Sequence, residues 1–391
     1  MDIEHNSREK FYRFPFGAVT CGGEVRLRLA VSGAGIPSAV RLVYMEDGKG
    51  EVRKDMPYIF DVGDHCIYSV NVKMPEKAGL VWYYFELETE RGMVYYGNNS
   101  KQLGGIGEMC FNSPSNSYQI TVYNEDYKTP DWFKTGIAYQ IFVDRFCNGN
   151  ENGEFLGNRT DIIKRNWGEQ PFYKAEQFGG EYKANDFFGG NLKGVIKKLP
   201  YLKDLGISVI YLNPIFKAYS NHKYDTGDYE TIDPMFGDEE TFKELCSKAK
   251  EMGIRIILDG VFNHTGSNSR YFNKYGEYDS VGAYQSKESP YYTWFRFMDW
   301  PDVYESWWGM TTLPQIEEHS EECRKYLLSD KDAIVKRWIK NGASGWRLDV
   351  VDELPGFFVK ELRENVKKAD KDAVIIGEVW EDASNKSAYG E

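Results

Sequence analysis

Three short segments, Asp259-Gly-Val-Phe-Asn-His264, Gly345-Trp-Arg-Leu-Asp-Val350 and Gly377-Glu-Val-Trp380, each close an apolar run with a carboxylate or an imidazole. The runs Arg255 to Leu258 and Ala373 to Ile376 have the uninterrupted apolar character of buried parallel strands. Asp259, Asp349 and Glu378 therefore stand where strands hand over to loops, the end of a parallel barrel at which chemistry is done. Two carboxylates on neighbouring strands suit glycoside hydrolysis, in which one meets the anomeric carbon and the other protonates the leaving oxygen. Strands about 4.8 Å apart would put the carboxyl groups of Asp349 and Glu378 about 5 Å from each other, the separation of a double displacement with retention.

Arg347 precedes Asp349 by two residues, so on a strand both side chains leave one face, and the guanidinium is expected to hold the carboxylate ionised, as a nucleophile requires. Glu378 is flanked by Ile375, Ile376, Val379 and Trp380. Partial desolvation there is expected to raise its pKa, which suits a general acid.

In order, spacing and strand context these segments resemble conserved regions I, II and III of the α-amylase family of glycoside hydrolases. The resemblance implies that Asp349 is the nucleophile and Glu378 the acid/base. It makes Arg347 and His264 ligands of the cleavage subsite and leaves Asp259 a structural role at its strand end. The stretches Ile137 to Phe146 and Val209 to Phe216 resemble the family's first two barrel strands. His222-Lys-Tyr-Asp-Thr-Gly-Asp228 resembles a stretch of the neopullulanase and cyclomaltodextrinase subgroup. There the tyrosine at Tyr224 stacks on the sugar and the histidine at His222 assists. A pyranose C–H face buries well against an aromatic ring.

Asn148-Gly-Asn-Glu-Asn-Gly-Glu154 is a loop rich in oxygen ligands, the chemistry of a hard cation such as calcium, without EF-hand spacing. The subgroup resemblance implies a structural Ca2+ held by Asn148, Asn150, Gly189 and Asn191, with an Asx-rich turn as the alternative. Asn150 and Asn191 stand where aspartates are common in relatives, which removes negative charge from the site. No organic cofactor is expected.

A net charge of −12 over 391 residues, without a local basic cluster, disfavours nucleic acid and anionic membranes as partners and is compatible with a neutral α-glucan. The 28 Tyr and 10 Trp could line sugar grooves as well as fill cores. The N-terminus has neither a basic start nor an apolar h-region, no run reaches spanning length, and six scattered cysteines lack metal spacing. The expectation is a cytoplasmic protein with reduced thiols.

Stepwise along the chain, alternating stretches at Glu24–Ala30, Ala39–Tyr44, Ile67–Val72 and Val81–Leu87, separated by Gly, Pro and Asp clusters, predict an N-terminal β-sandwich, immunoglobulin-like, over 1–125. The resemblance gives such a domain a role in glucan binding or homodimer formation, with a merely structural role as the alternative. Alternating strands and helices follow, with helices expected at Asp238–Met252 and Asp330–Lys340, so 131–391 reads as a (β/α)8 TIM barrel. A long insertion after the third strand, 265–318, matches the family's domain B and is of a length that is usually functional. It ends in Gln315-Ile-Glu317, which departs from relatives and leaves bond preference open.

Only five barrel strands are expected, near residues 137, 209, 255, 345 and 373. No Asn-His-Asp segment follows Glu378, so the family's fourth region, with its third carboxylate, is absent from the sequence. The expectation is an incomplete barrel, a fragment of a longer enzyme. Its function is expected to be retaining hydrolysis of α-1,4 and also α-1,6 bonds in maltodextrins, cyclodextrins, starch or pullulan. Transglycosylation, or glucan binding without turnover, are the alternatives.

Overall fold

In a computed structural model, which describes residues 1–112, 116–180, 182–380 and 383, the chain divides into two units, Met1–Lys128 and Thr129–Val379. Of the barrel segment expected at 131–391, residues 381, 382 and 384–391 lie outside the described residues.

The first unit is all β. One sheet runs Asp2–Glu4, Glu24–Ser32, His65–Lys73, Tyr58–Val62, with Arg13–Phe14 added to Glu24–Ser32. The other is centred on Gly79–Thr89, which pairs antiparallel with Ala39–Glu46, Gly92–Gly97 and Tyr118–Tyr123. Period-2 alternation sends Val25, Leu27 and Leu29 of one sheet, and Leu42, Tyr83, Phe85 and Ile120 of the other, into a single buried core. The four alternating stretches of the sequence lie within these strands.

The second unit is built on five parallel strands lying side by side in chain order. These are β1 (Ala138–Ile141), β2 (Val209–Leu212), β3 (Arg255–Gly260), β4 (Gly345–Leu348) and β5 (Val374–Gly377). Helices α1 (Leu192–Asp204), α2 (Glu239–Glu251), α3 (Ile334–Lys340) and α4 (Gly356–Ala369) lie in the four successive connections. Each strand is nearly apolar, as a sheet covered by crossover helices requires. In α2 the stripe Phe242, Leu245, Cys246 and Ala249 is buried, and a fully buried aromatic of this kind contributes about 1.5–3 kcal/mol. Asp238 caps that helix by accepting from the Thr241 N–H at 2.8 Å.

Two local expectations need correction. The third helix starts at Ile334, not Asp330. Asp330 ends the preceding π turn Lys325–Ser329 in an extended conformation, and its carbonyl accepts from the Ala333 N–H at 3.1 Å. A residue in an extended conformation interrupts the helical backbone, so the helix restarts only after this turn. The first strand stops at Ile141 because the chain turns at Val143–Arg145. The turn directs the buried Asp144 carboxylate at the N–H groups of Phe188 and Gly189, 3.1 Å away.

The insertion after β3 has its own aromatic packing. Tyr271 stacks on Trp294 at 4.9 Å, and Phe272 meets Tyr304 at 4.7 Å. A short hairpin, Phe297–Asp299 with Val303–Tyr304, lies within it.

Candidate active site

The parallel register carries the site. Asp259 is opposite Arg347 across β3 and β4, and Leu348 is opposite Gly377 across β4 and β5. Asp349 and Glu378 are thus the first residues past adjacent strand ends. Both are still tied to the ladder, through Asp349 N–H to Gly260 O at 3.1 Å and Glu378 N–H to Leu348 O at 3.0 Å.

Arg347 is the hub. Its Nη1 donates to Asp259 Oδ1 at 3.0 Å and to Asp349 Oδ1 at 2.8 Å, and its Nη2 meets Glu378 Oε1 at 2.6 Å. The other Glu378 oxygen accepts from the Val350 N–H at 3.2 Å. Val350 holds φ 38°, a left-handed value that is costly for a β-branched residue and typical of strain kept at working sites.

Asp259 also accepts from the hydroxyls of Tyr211 and Tyr224, the latter at 3.0 Å. Asn213 Nδ2 donates to Tyr224 Oη at 3.3 Å. His264 Nε2 donates to the Tyr224 carbonyl at 3.1 Å, and its ring stacks on Trp307 at 5.2 Å. His222 Nδ1 accepts from the Tyr224 N–H at 3.2 Å. The structure therefore brings Asp259, His264, His222, Tyr224, Arg347, Asp349 and Glu378 into one bonded group.

Its electrostatics differ from the sequence expectation. Burial, reinforced by the charge of Asp259 and opposed by Arg347, pushes Asp349 up to about 7. One guanidinium shared among three carboxylates does not hold Asp349 in the ordinary carboxylate range. Asp259 is likewise pushed up to about 6, chiefly by burial. Burial takes His264 down to about 4, so its ring is neutral. Glu378 is half-buried, with Arg347 on one carboxylate oxygen and the Val350 N–H on the other.

Tyr211, Asn213 and Glu353 were not singled out from sequence, and Trp307 only as one of four tryptophans of the insertion. Tyr211 carried a signal, as the polar-tipped member of an otherwise aliphatic strand. Glu353 carried a weaker one, a carboxylate one helical turn beyond Asp349. It accepts from both Trp307 Nε1 at 2.8 Å and Trp308 Nε1 at 2.9 Å.

Asn148, Asn150, Gly189 and Asn191 form a second group at the start of α1, but as they stand they do not fit a divalent cation. Asn191 Oδ1 is taken by the N–H groups of Gly194 at 2.9 Å and Gly149 at 3.1 Å, and its Nδ2 donates to Asn148 Oδ1 at 3.2 Å. Asn150 Nδ2 donates to Glu154 O at 2.6 Å. An inward-facing amide N–H repels a cation.

The chain thus has an N-terminal sheet domain followed in sequence by an α/β unit with carboxylates clustered at its strand ends, and comparison with known proteins gives its family. Residues 140–391 match the family model of the alpha amylase catalytic domain. The chain is 39% identical over 413 residues to an amylopullulanase of Thermoanaerobacterium saccharolyticum, covering 98% of this chain and 32% of that protein. It is 41% identical over 266 residues to a cyclomaltodextrinase of Thermoanaerobacter pseudethanolicus, covering 65% of this chain and 41% of that one. The solved type III pullulan hydrolase from Thermococcus kodakarensis superposes with a TM-score of 0.57 at 29% identity, over 97% of this chain and 62% of that one. The chain belongs to the α-amylase family. It spans about a third of the length of the amylopullulanase it resembles.

Proposed function

We propose that this chain carries the nucleophile and the acid/base of a retaining α-glucan hydrolase. One observation carries the reading: Asp349 and Glu378, at the ends of adjacent strands, bind Nη1 and Nη2 of the same guanidinium. Carboxyl groups at the ends of adjacent strands and on one guanidinium suit the ~5 Å separation of a double displacement better than the ~6.5–9.5 Å that an inverting enzyme leaves for water.

Asp349 attacks C1 while Glu378 protonates the glycosidic oxygen; Glu378 then activates water to release the glycosyl group. Arg347 and His264 bind the sugar at the cleaved bond, Tyr224 offers a ring face and His222 assists. Asp259 has the structural role of holding Arg347 and Tyr224. The substrates are maltodextrins, cyclodextrins, starch or pullulan, cut at α-1,4 and also α-1,6 bonds, with the insertion 265–318 as one wall of the cleft. The sugar-active names of the relatives support this choice.

The test is reducing-sugar release from cyclodextrin, soluble starch and pullulan by the 391-residue chain, with Glu378→Gln as the blank, and the anomer of the first product read by NMR. Release of the α-anomer that disappears in the variant is expected. A β-anomer, or equal release by the variant, would overturn the assignment.

A further inference from the structure

The amide of Asn191 lies between loop 148–154 and the start of α1, and its orientation is fixed by its neighbours. Gly149 and Gly194 present backbone N–H groups, which can only donate, so the side-chain atom between them is the oxygen, at 3.1 and 2.9 Å. The nitrogen is then turned towards two acceptors, Asn148 Oδ1 at 3.2 Å and Gly189 O at 3.5 Å. Asn148 Oδ1 also takes the Asn150 N–H at 2.8 Å. The other side-chain amides of Asn148 and Asn150 go to carbonyls, Asn148 Nδ2 to Gly153 O at 3.0 Å and to Glu154 O at 3.1 Å, and Asn150 Nδ2 to Glu154 O at 2.6 Å.

Space is also committed. A Cβ on Gly194 would lie 1.8 Å from Cys147 O, and one on Gly149 would lie 2.4 Å from Gly194 N. Loop and helix start are therefore in direct backbone contact. Asn191 itself is fully buried. A calcium ion asks for six to eight oxygens at about 2.3–2.6 Å with net negative charge. Here the side-chain amides of Asn148, Asn150 and Asn191 are bonded to one another and to the backbone, and the two glutamates of the loop, Glu151 and Glu154, are exposed.

We propose that Asn191 replaces a cation: its amide nitrogen clamps loop 148–154 to the start of α1 and makes this part of the fold independent of calcium. An aspartate at 191 keeps the cap with one oxygen. Its second oxygen, now charged, would face Asn148 Oδ1 and Gly189 O without a proton between them. Asn191→Asp therefore converts the clamp into a calcium site. The proposal does not depend on the catalytic reading.

The experiment is scanning calorimetry of the full chain and of Asn191→Asp, each with excess EDTA and with excess calcium chloride. The wild-type midpoint is expected to be the same in both. The Asn191→Asp midpoint is expected to drop in EDTA and to recover in calcium by about 2–4 °C or more, the scale of a single interaction in a unit of this size. A wild-type midpoint raised by calcium, or a variant indifferent to it, overturns the proposal. Were the variant too unstable to purify, terbium luminescence of the wild type decides. Sensitised emission that calcium displaces refutes the clamp, and its absence supports it.

Discussion

At the residue scale the decisive fact is a shared guanidinium. Arg347 serves Asp259, Asp349 and Glu378 together, and Asp349 is left pushed up to about 7 from an ordinary 3.8. As the proposed nucleophile, Asp349 must be ionised, so kcat/KM should fall as pH drops below about 7. Removing the Asp259 charge, the largest raising influence after burial, should move that limb to lower pH. A pH–rate profile of wild type and Asp259→Asn checks both, and an unmoved limb would count against the electrostatic account. Stability follows the same group. Its folded pKa lies above the unfolded value, so its contribution is intact below about 3.8 and is lost as pH rises through about 7. Asp349→Asn carries no such penalty. Its midpoint should exceed that of wild type by more at about pH 8 than at about pH 4.5, which paired thermal melts would show. That Asp349 and Glu378 stand at adjacent strand ends beside Arg347 was readable because strand ends announce themselves in sequence. The rise of Asp349 was not, because Asp259 reaches Arg347 only through the register of β3 on β4.

At the scale of elements, the loop between β2 and α2 holds Tyr224 and His222 by means of the residue between them. Lys223, at φ 64°, sends its side chain away from the site into full burial. There it pairs with Asp233 at 2.7 Å, donates to Ala218 O at 3.1 Å and lies over the rings of Phe187 and Phe236. Lys223→Met strands a buried carboxylate and should cost about 3–5 kcal/mol. The double change Lys223→Met with Asp233→Asn should recover much of it, since the unpaired charge and not the lost bond dominates the loss. Equal losses in denaturant melts of the single and double variants would refute that. A lysine in a polar loop reads as a solvated charge, and nothing local in the sequence says otherwise. The strands and α2 were readable because their apolar periods are set by one sheet and one face. The start of α3 depended on a turn at Asp330 that periodicity does not encode.

At the scale of the whole molecule, charge is the property with reach. A net −12 gives a charged substrate a field to respond to, whereas a neutral glucan is neither steered nor repelled. The KM for soluble starch should therefore change by less than about twofold between about 0.02 and 0.5 M salt, while a steep salt dependence would point to a charged ligand. The order of the two units was readable from the switch between two-residue alternation and strand–helix succession. The long connection from β1 to α1 was not. Its short parallel pair, Ile163–Lys164 with Asp186–Phe187, joins residues too far apart in sequence for any local pattern to link.

Glu353 ties two indoles to a single carboxylate, and their rings stack 5.5 Å apart at 28°. Chromophores so close and so fixed in angle act as one coupled absorber. The pair should give a split band in the near-ultraviolet circular dichroism spectrum that Glu353→Gln weakens. Because Trp307 also stacks on His264, the molecule carries its own optical gauge of how the end of the insertion is seated over the strand ends.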